Sequence, residues 1–151
     1  MSEYGVSNIY KNTGMLRFWR DNVKGKIFIS GPIQNMEKRQ SYRETIKRIC
    51  LEKGYVVIDP WEREKIIYRD AEKASMVNFN FISRDLEDIK NCDILVAYMP
   101  KLSAGTCMEL FYAKQMGKRT ICICRIKNPS PWIVAHSDKM ISRIDELRNI
   151  L

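Results

Sequence analysis

The sequence predicts a doubly wound α/β fold of the flavodoxin or Rossmann type, with a parallel sheet of four to five strands and helices on both faces. Four short apolar runs rich in β-branched residues are separated by helix-like segments. Each run is almost continuously apolar, as is typical of strands covered on both faces. Strands that alternate with helices form a parallel sheet through right-handed crossovers. These three observations indicate the fold class.

The predicted strands are the four apolar runs, at residues 26–30, 55–58, 93–98 and 120–124. The predicted helices lie between and after them, near 36–53, 78–91, 105–116 and 137–150. Gly54 and Gly117 follow the first and third helices, where glycine commonly ends a helix. Residues 25–151 therefore form a single predicted domain. Residues 1–24 precede the pattern and are predicted to be an N-terminal arm or a short extra helix.

The bulk composition is that of a soluble globular protein. The chain has 151 residues, of which 45% are hydrophobic and 29% charged, enough for one domain. No apolar run reaches the 18 residues or so of a membrane span, and the N-terminus lacks the apolar core of a secretory signal. These features predict a cytoplasmic protein with no membrane partner.

No cofactor or metal is predicted. The chain lacks G-x-G-x-x-G after the first strand and G-x-x-x-x-G-K-[ST] throughout, the loops that bind dinucleotides and nucleoside triphosphates. Cys122 and Cys124 share one strand face, but no second pair or nearby histidine completes a zinc site. We therefore expect the cysteines within apolar stretches to be buried, reduced thiols.

The formal charge is +8, which favours an anionic partner. The 26 lysines and arginines are scattered along the chain and often adjoin acidic residues, so no basic stretch indicates nucleic-acid recognition. A small anionic ligand is the better prediction.

The ligand-binding edge of the predicted sheet follows from its parallel strands. In open parallel sheets, ligands bind beyond the carboxyl ends of the strands. Four loops lie there, at residues 30–34, 59–61, 99–106 and 125–132. Their candidate substrate-binding residues are Gly31, Pro32, Ile33, Asp59, Trp61, Ser103, Gly105 and Asn128. For Trp61, stacking on a base and simple cover of the sheet both remain open.

Asp85 is an acid on an apolar helix face. It lies three residues after Ile82 and four before Ile89, so it faces inward with them. A carboxylate there needs a partner, or its pKa rises. Two interpretations stay open: a buried aspartate that pairs with an arginine or caps a loop, and a general acid or base.

Glu109 also has two interpretations. Thr106 and Glu109 have the S/T-x-x-E spacing of a capping box, a common helix start. Alternatively, Glu109 is a carboxylate kept ionised by the exposed amides of the first helical turn, and such a group suits nucleophilic attack on an anomeric carbon.

Several of these pieces occur together in one known family. The segments are KIFISGP at 26–32, VIDP at 57–60, DL at 85–86, NCDILVA at 91–97, SAGTCMELFYA at 103–113 and GK at 117–118. Over roughly residues 25–147, the chain resembles the nucleoside 2-deoxyribosyltransferase family, including its deoxynucleoside 5′-monophosphate N-glycosidase branch. The resemblance implies that Glu109 is the nucleophile, that Asp85 assists proton transfer, and that a covalent glycosyl-glutamate forms with retention.

The resemblance also bears on the branch. Transferases that act on free nucleosides tend to have aspartate six residues before the nucleophile, whereas nucleotide hydrolases tend to have serine, and here it is Ser103. A hydroxyl can donate to a phosphate that a carboxylate would repel, so Ser103 favours a monophosphate hydrolase. Pro32 and Gln34, however, stand where such hydrolases carry serine and arginine. A nucleoside 2-deoxyribosyltransferase that exchanges bases on free deoxynucleosides is the alternative.

The segment 128–138 resembles the part of the transferases that reaches a neighbouring subunit's sugar, with Asn128 as the contact. A homodimer or higher homo-oligomer with shared active sites is therefore implied. Two alternatives from other classes remain: a non-catalytic nucleotide-sensing module that keeps the fold, and a nucleic-acid-binding protein that uses the basic arm.

Overall fold

The computed structural model describes residues 22–69 and 80–151, without the side chains of 66–69. The strands are β1 (Gly25–Ser30), β2 (Tyr55–Ile58), β3 (Ile94–Met99), β4 (Arg119–Cys124) and β5 (Lys139–Ile141). The helices are α1 (Ser41–Glu52), α2 (Trp61–Arg69), α3 (Asn80–Lys90), α4 (Ala104–Gln115), α5 (Pro131–Ala135) and α6 (Leu147–Ile150), with a 3₁₀ turn at Ile144–Glu146. The predicted N-terminal arm lies, except for its last three residues, outside the described residues.

The five strands form one sheet in the order β2-β1-β3-β4-β5. All four neighbouring pairs are parallel. This is the flavodoxin-like strand order, in which the chain moves outward in both directions from β1 and β3. The predicted fold class is therefore confirmed, with the number of strands at the upper end of the predicted range.

Two hydrophobic cores lie on opposite faces of the sheet. One packs α1 and α6 against the side chains of alternate strand residues, among them Ile27, Ile29, Val96 and Ile121. The other packs α3, α4 and α5 against the intervening residues, among them Phe28, Leu95, Met99 and Cys122. Because successive side chains of a strand point to opposite faces, the continuous apolar runs supply both cores.

The end of the chain corrects one prediction. The helix predicted at 137–150 is wrong over its first half, because Lys139–Ile141 form β5 and pair with β4, and only Ile144–Glu146 and Leu147–Ile150 are helical. The Asp138 carboxylate accepts a hydrogen bond from the backbone amide of Thr120 at 2.9 Å, which fixes the start of β5 beside β4. Pairing with the open edge of β4 thus outweighs the local helical pattern.

The other predicted helices are confirmed with shifted ends. The first begins at Ser41 rather than near 36, because residues 34–38 include turns. The helix α2 was not predicted, although Asp59 and Pro60 immediately before it are a common start signal. Gly54 and Gly117 have φ angles of 88° and 72° directly after α1 and α4, in the left-handed region that glycine adopts freely.

Cys50, Cys92, Cys122 and Cys124 are buried free thiols, as predicted. Within the described residues, no helix is both long enough and apolar enough to span a membrane. The cytoplasmic location stays a prediction.

Candidate active site

The candidate site lies at the carboxyl ends of β1 and β3. The loops after these two central strands turn to opposite sides of the sheet, which opens a crevice where doubly wound proteins bind ligands. Ser30 is the last residue of β1, and α4, which carries Glu109, begins shortly after β3. The strand order therefore brings together two segments that are far apart in the sequence.

Ser30 and Glu109 are in direct contact. Ile27 and Ile29 of β1 face α1, so the alternation of the strand turns Phe28 and Ser30 toward α4. The buried Ser30 hydroxyl donates a hydrogen bond of 2.9 Å to Glu109 Oε1. The other carboxyl oxygen, Oε2, is buried, and among the described residues it has no hydrogen-bond partner.

The start of α4 is capped by Ser103, not by Thr106. Ser103 has an extended backbone, and its hydroxyl accepts hydrogen bonds from the amide and the hydroxyl of Thr106, at 3.4 and 3.0 Å. Thr106 is thus already the third residue of the helix, which makes the predicted Thr106–Glu109 capping box wrong. Glu109 lies in the second turn, where its side chain is free to reach Ser30.

The pKa of Glu109 is raised to about 8, first by burial and then by the negative charge of Asp85. The hydrogen bond from Ser30 and the charge of Arg43 oppose this rise. The expectation that amides of the first helical turn keep Glu109 ionised is therefore wrong, because the carboxyl lies one turn further along in a desolvated position.

Asp85 faces inward from α3 with Ile89 and is 8% exposed, as predicted, but the prediction that Ile82 shares this inward face is wrong, because Ile82 is 44% exposed. Its Oδ1 accepts a hydrogen bond of 3.0 Å from Arg63 Nη2. Burial raises the pKa of Asp85, while the charge of Arg63 and its hydrogen bond to Asp85 oppose the rise. Asp85 therefore pairs with an arginine, as the first interpretation had it, and a role as general acid or base stays a prediction.

Glu64, which sequence reasoning missed, lies beside Asp85. It projects from α2 and is 3% exposed, and its Oε1 is buried with no hydrogen-bond partner among the described residues. Burial raises its pKa to about 10, and Asp85 and Glu109 add to the rise. Glu64 stands in the mixed-charge stretch Glu62–Lys65, which looks like a solvated surface. Its spacing of three from Trp61 was the signal that could have indicated an inward side chain.

Sequence reasoning also missed Arg43. It lies under the loop that follows β1, and only 1% of its surface is exposed. Its guanidinium donates to Asp59 Oδ1 at 2.8 Å, to the carbonyl oxygen of Gly31 at 3.0 Å and to Gln40 Oε1 at 2.6 Å. Asp59 Oδ1 also accepts the Trp61 amide at 3.1 Å. This network ties the loops after β1 and β2 together. No signal in the sequence distinguishes Arg43 from an exposed helical arginine.

The loop after β1 is fixed at each of its first residues. The Pro32 carbonyl oxygen accepts hydrogen bonds from Gln40 Nε2 and the Tyr42 hydroxyl, at 3.0 and 3.1 Å. A Cβ atom at Gly31 would lie 2.3 Å from the Tyr42 hydroxyl oxygen, so only glycine fits without displacing that ring. Ile33 is buried as well.

The remaining predicted residues follow the carboxyl ends of β2, β3 and β4 along the chain. Trp61 begins α2 and is half-buried, and Gly105 is exposed in the first turn of α4. Asn128 is exposed in the loop between β4 and α5. For these three residues, as for Asp59, Ser103 and the first loop, contact with a substrate stays a prediction.

The fold and the site together define a class: a doubly wound α/β protein with a buried glutamate carboxyl on one helix and an arginine-bound aspartate on the helix packed against it. The profile of the nucleoside 2-deoxyribosyltransferase family matches residues 27–143, well over half of the chain. The chain belongs to this family, whose members are enzymes that act on N-glycosidic bonds. No curated protein matches the sequence.

Solved structures support the fold. A 2-deoxyribosyltransferase from Bacillus psychrosaccharolyticus is similar at 19% identity and a TM-score of 0.65, over 82% of this chain and 90% of that one. A conserved protein from Enterococcus faecalis V583 is similar at 18% identity and a TM-score of 0.58, over 82% and 94%. A 2-desoxiribosyltransferase from Leishmania mexicana follows at 21% identity and a TM-score of 0.52, over 69% and 67%.

Proposed function

We propose that the protein is a nucleoside 2-deoxyribosyltransferase that moves the deoxyribosyl group of a 2′-deoxynucleoside from one base to another, with Glu109 as the nucleophile. The observation that carries this proposal is the state of the Glu109 carboxyl. One oxygen is held by Ser30 at 2.9 Å, and the other is buried with no partner among the described residues. An oriented carboxylate with a free oxygen suits attack on an anomeric carbon.

The reaction proceeds in two displacements. A Glu109 oxygen attacks C1′ of the sugar while the bond to the base breaks, which leaves a glycosyl ester on the enzyme. A second base then attacks C1′ from the opposite side and releases Glu109. Two inversions give net retention of configuration, as in other carboxylate-based glycosyl transfers. Each step takes place in a desolvated crevice, where the charge on the nucleophile is poorly solvated and therefore reactive.

The departing base needs a proton, and Asp85 is the residue we assign to deliver it. Its carboxyl is buried, its pKa is raised, and its charge influences Glu109. A pair of carboxyl groups with different environments supports the division into nucleophile and acid. The substrate itself would contact the loops around this pair, with Trp61 at the base and the first loop, Gly31 to Ile33, at the sugar.

A second candidate is hydrolysis of a deoxynucleoside 5′-monophosphate by the same nucleophile. Ser103 supports it, because its hydroxyl accepts two hydrogen bonds from Thr106 and still has a proton to donate. The net charge of +8 also favours an anionic substrate. The family and the 2-deoxyribosyltransferases of similar fold support transfer more than hydrolysis.

We also propose a homo-oligomer in which a neighbouring copy completes the site. Large apolar side chains are exposed on α4 and α5, including Met108, Phe111 and Trp132, the last with 71% of its surface exposed. These helices flank the Glu109 crevice and the loop that holds Asn128. Apolar groups clustered in this way are typical of a surface covered by a partner.

The test is a panel of 2′-deoxynucleosides and their 5′-monophosphates, each with and without an acceptor base, assayed for released and exchanged base. We expect the wild-type protein to exchange the base of 2′-deoxynucleosides. Glu109→Gln and Glu109→Ala should each lower the rate of this exchange by at least about 10³-fold. Glu87→Gln, which changes an exposed carboxylate on α3, is the matched control and keeps full activity. Release of no base from any substrate, or an unimpaired Glu109→Gln, would contradict the proposal. Turnover confined to monophosphates would favour the second candidate.

A further inference from the structure

The buried guanidinium of Arg43 binds the backbone on both sides of Ser30. Its Nη1 lies 3.4 Å from the carbonyl oxygen of Ile29, and its Nη2 donates to the carbonyl oxygen of Gly31 at 3.0 Å. Ser30 is the residue between them, and its hydroxyl donates to Glu109 Oε1 at 2.9 Å. The arginine therefore contacts the segment that carries the hydroxyl, one residue before it and one residue after it.

The strand order explains why β1 needs a side chain at this point. β2 pairs with β1 as far as Ile58, which is in register with Phe28, and α2 begins at Trp61. The carbonyl oxygens that follow Phe28 on this edge of β1 lie beyond the end of β2, and buried carbonyl groups need hydrogen-bond donors. Arg43 supplies these donors from α1, so its guanidinium takes the place of a strand where β2 has ended.

The guanidinium is itself held in one orientation. Asp59, the first residue after β2, accepts a hydrogen bond from Nη1 at 2.8 Å, and Gln40 Oε1 accepts one from Nε at 2.6 Å. The Arg43 and Asp59 side chains are only 1% and 4% exposed, so water does not compete for these donors. A planar group with five N–H donors makes all of these contacts at once, whereas an ammonium group cannot do so in the same geometry.

Arg43 and Glu109 lie on helices that pack against opposite faces of the sheet. The helix α1 packs on the face that carries Ile29, and α4 packs on the face that carries Phe28. Ser30 links the two sides, because its backbone neighbours are bound by Arg43 and its side chain is bound to Glu109. A displacement of the guanidinium therefore reaches the nucleophile through this serine.

We propose that Arg43 is a positioning residue for the nucleophile: by binding the carbonyl oxygens on both sides of Ser30, it fixes the hydroxyl that orients Glu109. This inference rests on the proposed function and extends it to a buried residue of α1 that acts through Ser30. Hydrogen bonds between oxygens span about 2.5–3.0 Å, so a shift of about 1 Å in the backbone of Ser30 is enough to break the contact with Glu109.

The charged groups that face Glu109 determine the sign of the expected pH effect. Burial and the charge of Asp85 from α3 raise the pKa of Glu109, whereas the hydrogen bond from Ser30 and the charge of Arg43 from α1 lower it. Glu64 from α2 also interacts with the charge of Glu109. Arg43→Lys keeps a positive charge at this position but cannot bind both carbonyl oxygens in the same geometry. The Ser30 hydrogen bond is then weakened, so the pKa of Glu109 should rise above its value of about 8.

The experiment is a double-mutant cycle of Arg43→Lys and Ser30→Ala, with kcat and KM measured against pH on the best 2′-deoxynucleoside of the panel. We expect Arg43→Lys to lower kcat at pH 7 about 10-fold, to change KM less than about 3-fold, and to move the acidic limb of kcat/KM to higher pH. In the Ser30→Ala background the same change should cost less than about 2-fold more, because the hydroxyl that Arg43 positions is absent. Arg48→Lys, which alters an exposed arginine of α1, is the control and keeps full activity.

A second variant and a second measurement complete the test. Gln40→Leu removes the acceptor of Arg43 Nε but keeps the guanidinium. It should show a smaller loss of the same kind, again absent in the Ser30→Ala background, and it replaces Arg43→Lys if that variant does not fold. Carbon-13 NMR of labelled glutamate carboxyls follows the titration of Glu109 without substrate, with Glu109→Gln to assign the signal. We expect the midpoint to rise from about 8 in wild type by about half a pH unit or more in Arg43→Lys.

Losses that multiply in the double variant, to about 100-fold, would overturn the inference, because Arg43 would then act independently of Ser30. An unmoved midpoint of Glu109 in Arg43→Lys, or full activity of that variant, would overturn it as well and leave Arg43 a residue of the fold alone. A wild-type protein that turns over no substrate shows that the proposed function has failed. The carboxyl titration then tests by itself whether Arg43 acts on Glu109.

Discussion

The Ser30 hydroxyl lies 2.9 Å from Glu109 Oε1 and joins the last residue of β1 to the second turn of α4. This contact spans 79 residues of sequence. It fixes the rotamer of Glu109 and lowers a pKa that burial has raised. This hydrogen bond therefore orients the Glu109 carboxyl and also lowers the pH above which the carboxyl is ionised and can act as a nucleophile.

Removal of the hydroxyl should make Glu109 harder to ionise. In Ser30→Ala the pKa of Glu109 rises further, since the hydrogen bond that favours the carboxylate is lost. We expect kcat/KM at pH 7 to fall about 10-fold or more, with the acidic limb of the pH profile displaced to higher pH. Ser83→Ala, which alters an exposed serine on α3, is the control. An unmoved acidic limb in Ser30→Ala would show that the contact does not influence catalysis.

The wild-type pH profile should be bell-shaped. Glu109 must lose a proton with a pKa of about 8, whereas Asp85, whose pKa burial raises, must keep one to pass to the departing base. The activity should therefore rise as the pH approaches 8 and fall once Asp85 loses its own proton. The measurement is kcat/KM from pH 5 to 11 in buffers of constant ionic strength. A plateau from pH 5 to 7 would contradict the raised pKa of Glu109.

The same shift predicts how stability depends on pH. The folded protein binds the Glu109 proton up to about pH 8, whereas the unfolded chain releases it near pH 4.5, so stability falls as the pH rises between those values. Glu109→Gln removes this contribution and should have a melting temperature a few degrees above wild type at pH 9, with a smaller difference at pH 5. Thermal unfolding of both proteins at the two pH values provides the comparison. A variant less stable than wild type at pH 9 would contradict the shift.

Gly31→Ala should destabilise the first loop. The new methyl group would lie 2.3 Å from the Tyr42 hydroxyl oxygen and 2.8 Å from two ring carbons, and overpacking of this kind costs about 1–3 kcal/mol. Tyr42→Phe relieves the shortest contact, so the double variant should be less destabilised than the sum of the two single changes. Urea unfolding of the four proteins measures this coupling. Strict additivity would show that the two residues do not collide.

Arg43→Met should be among the most destabilising single changes outside the apolar cores. It leaves Asp59 buried without its cation and the Gly31 carbonyl without a donor, for an expected loss of about 3–5 kcal/mol. Arg148→Met removes a half-exposed pair with Glu52 and should cost less than about 1 kcal/mol. Chemical denaturation distinguishes the two. Similar small losses would mean that the Arg43 network does not hold the loops.

The strands β1 to β4 could be predicted from the sequence, because burial on both faces makes them continuously apolar. The strand β5 could not, because two of its three residues, Lys139 and Met140, are exposed and only pairing with β4 defines it. Local pattern is informative where the core dictates composition. It fails where an edge strand depends on its neighbour.

The residues of the candidate site also differ in whether the local sequence pattern could predict them. The burial of Asp85 was predictable because it lies four residues before the apolar Ile89, and Glu109 was singled out by its place near a helix start and by the family resemblance. Glu64 and Arg43 were not, because each is a charged residue among other charged residues and is buried only by the tertiary fold. Arg43 pairs there with Asp59. Ser103 caps α4, and its predicted contact with a phosphate stays a prediction.

The most direct test of the account is to trap the glycosyl ester. A 2′-fluorinated 2′-deoxynucleoside reacts slowly at C1′ because fluorine withdraws electrons, so an adduct should accumulate before the second displacement. We predict that intact-protein mass spectrometry shows a gain of one fluorodeoxyribosyl group, that peptide mapping locates it on Glu109, and that Glu109→Gln gains nothing. Turnover without any adduct, or an adduct on a different residue, would contradict the assignment of Glu109 as the nucleophile.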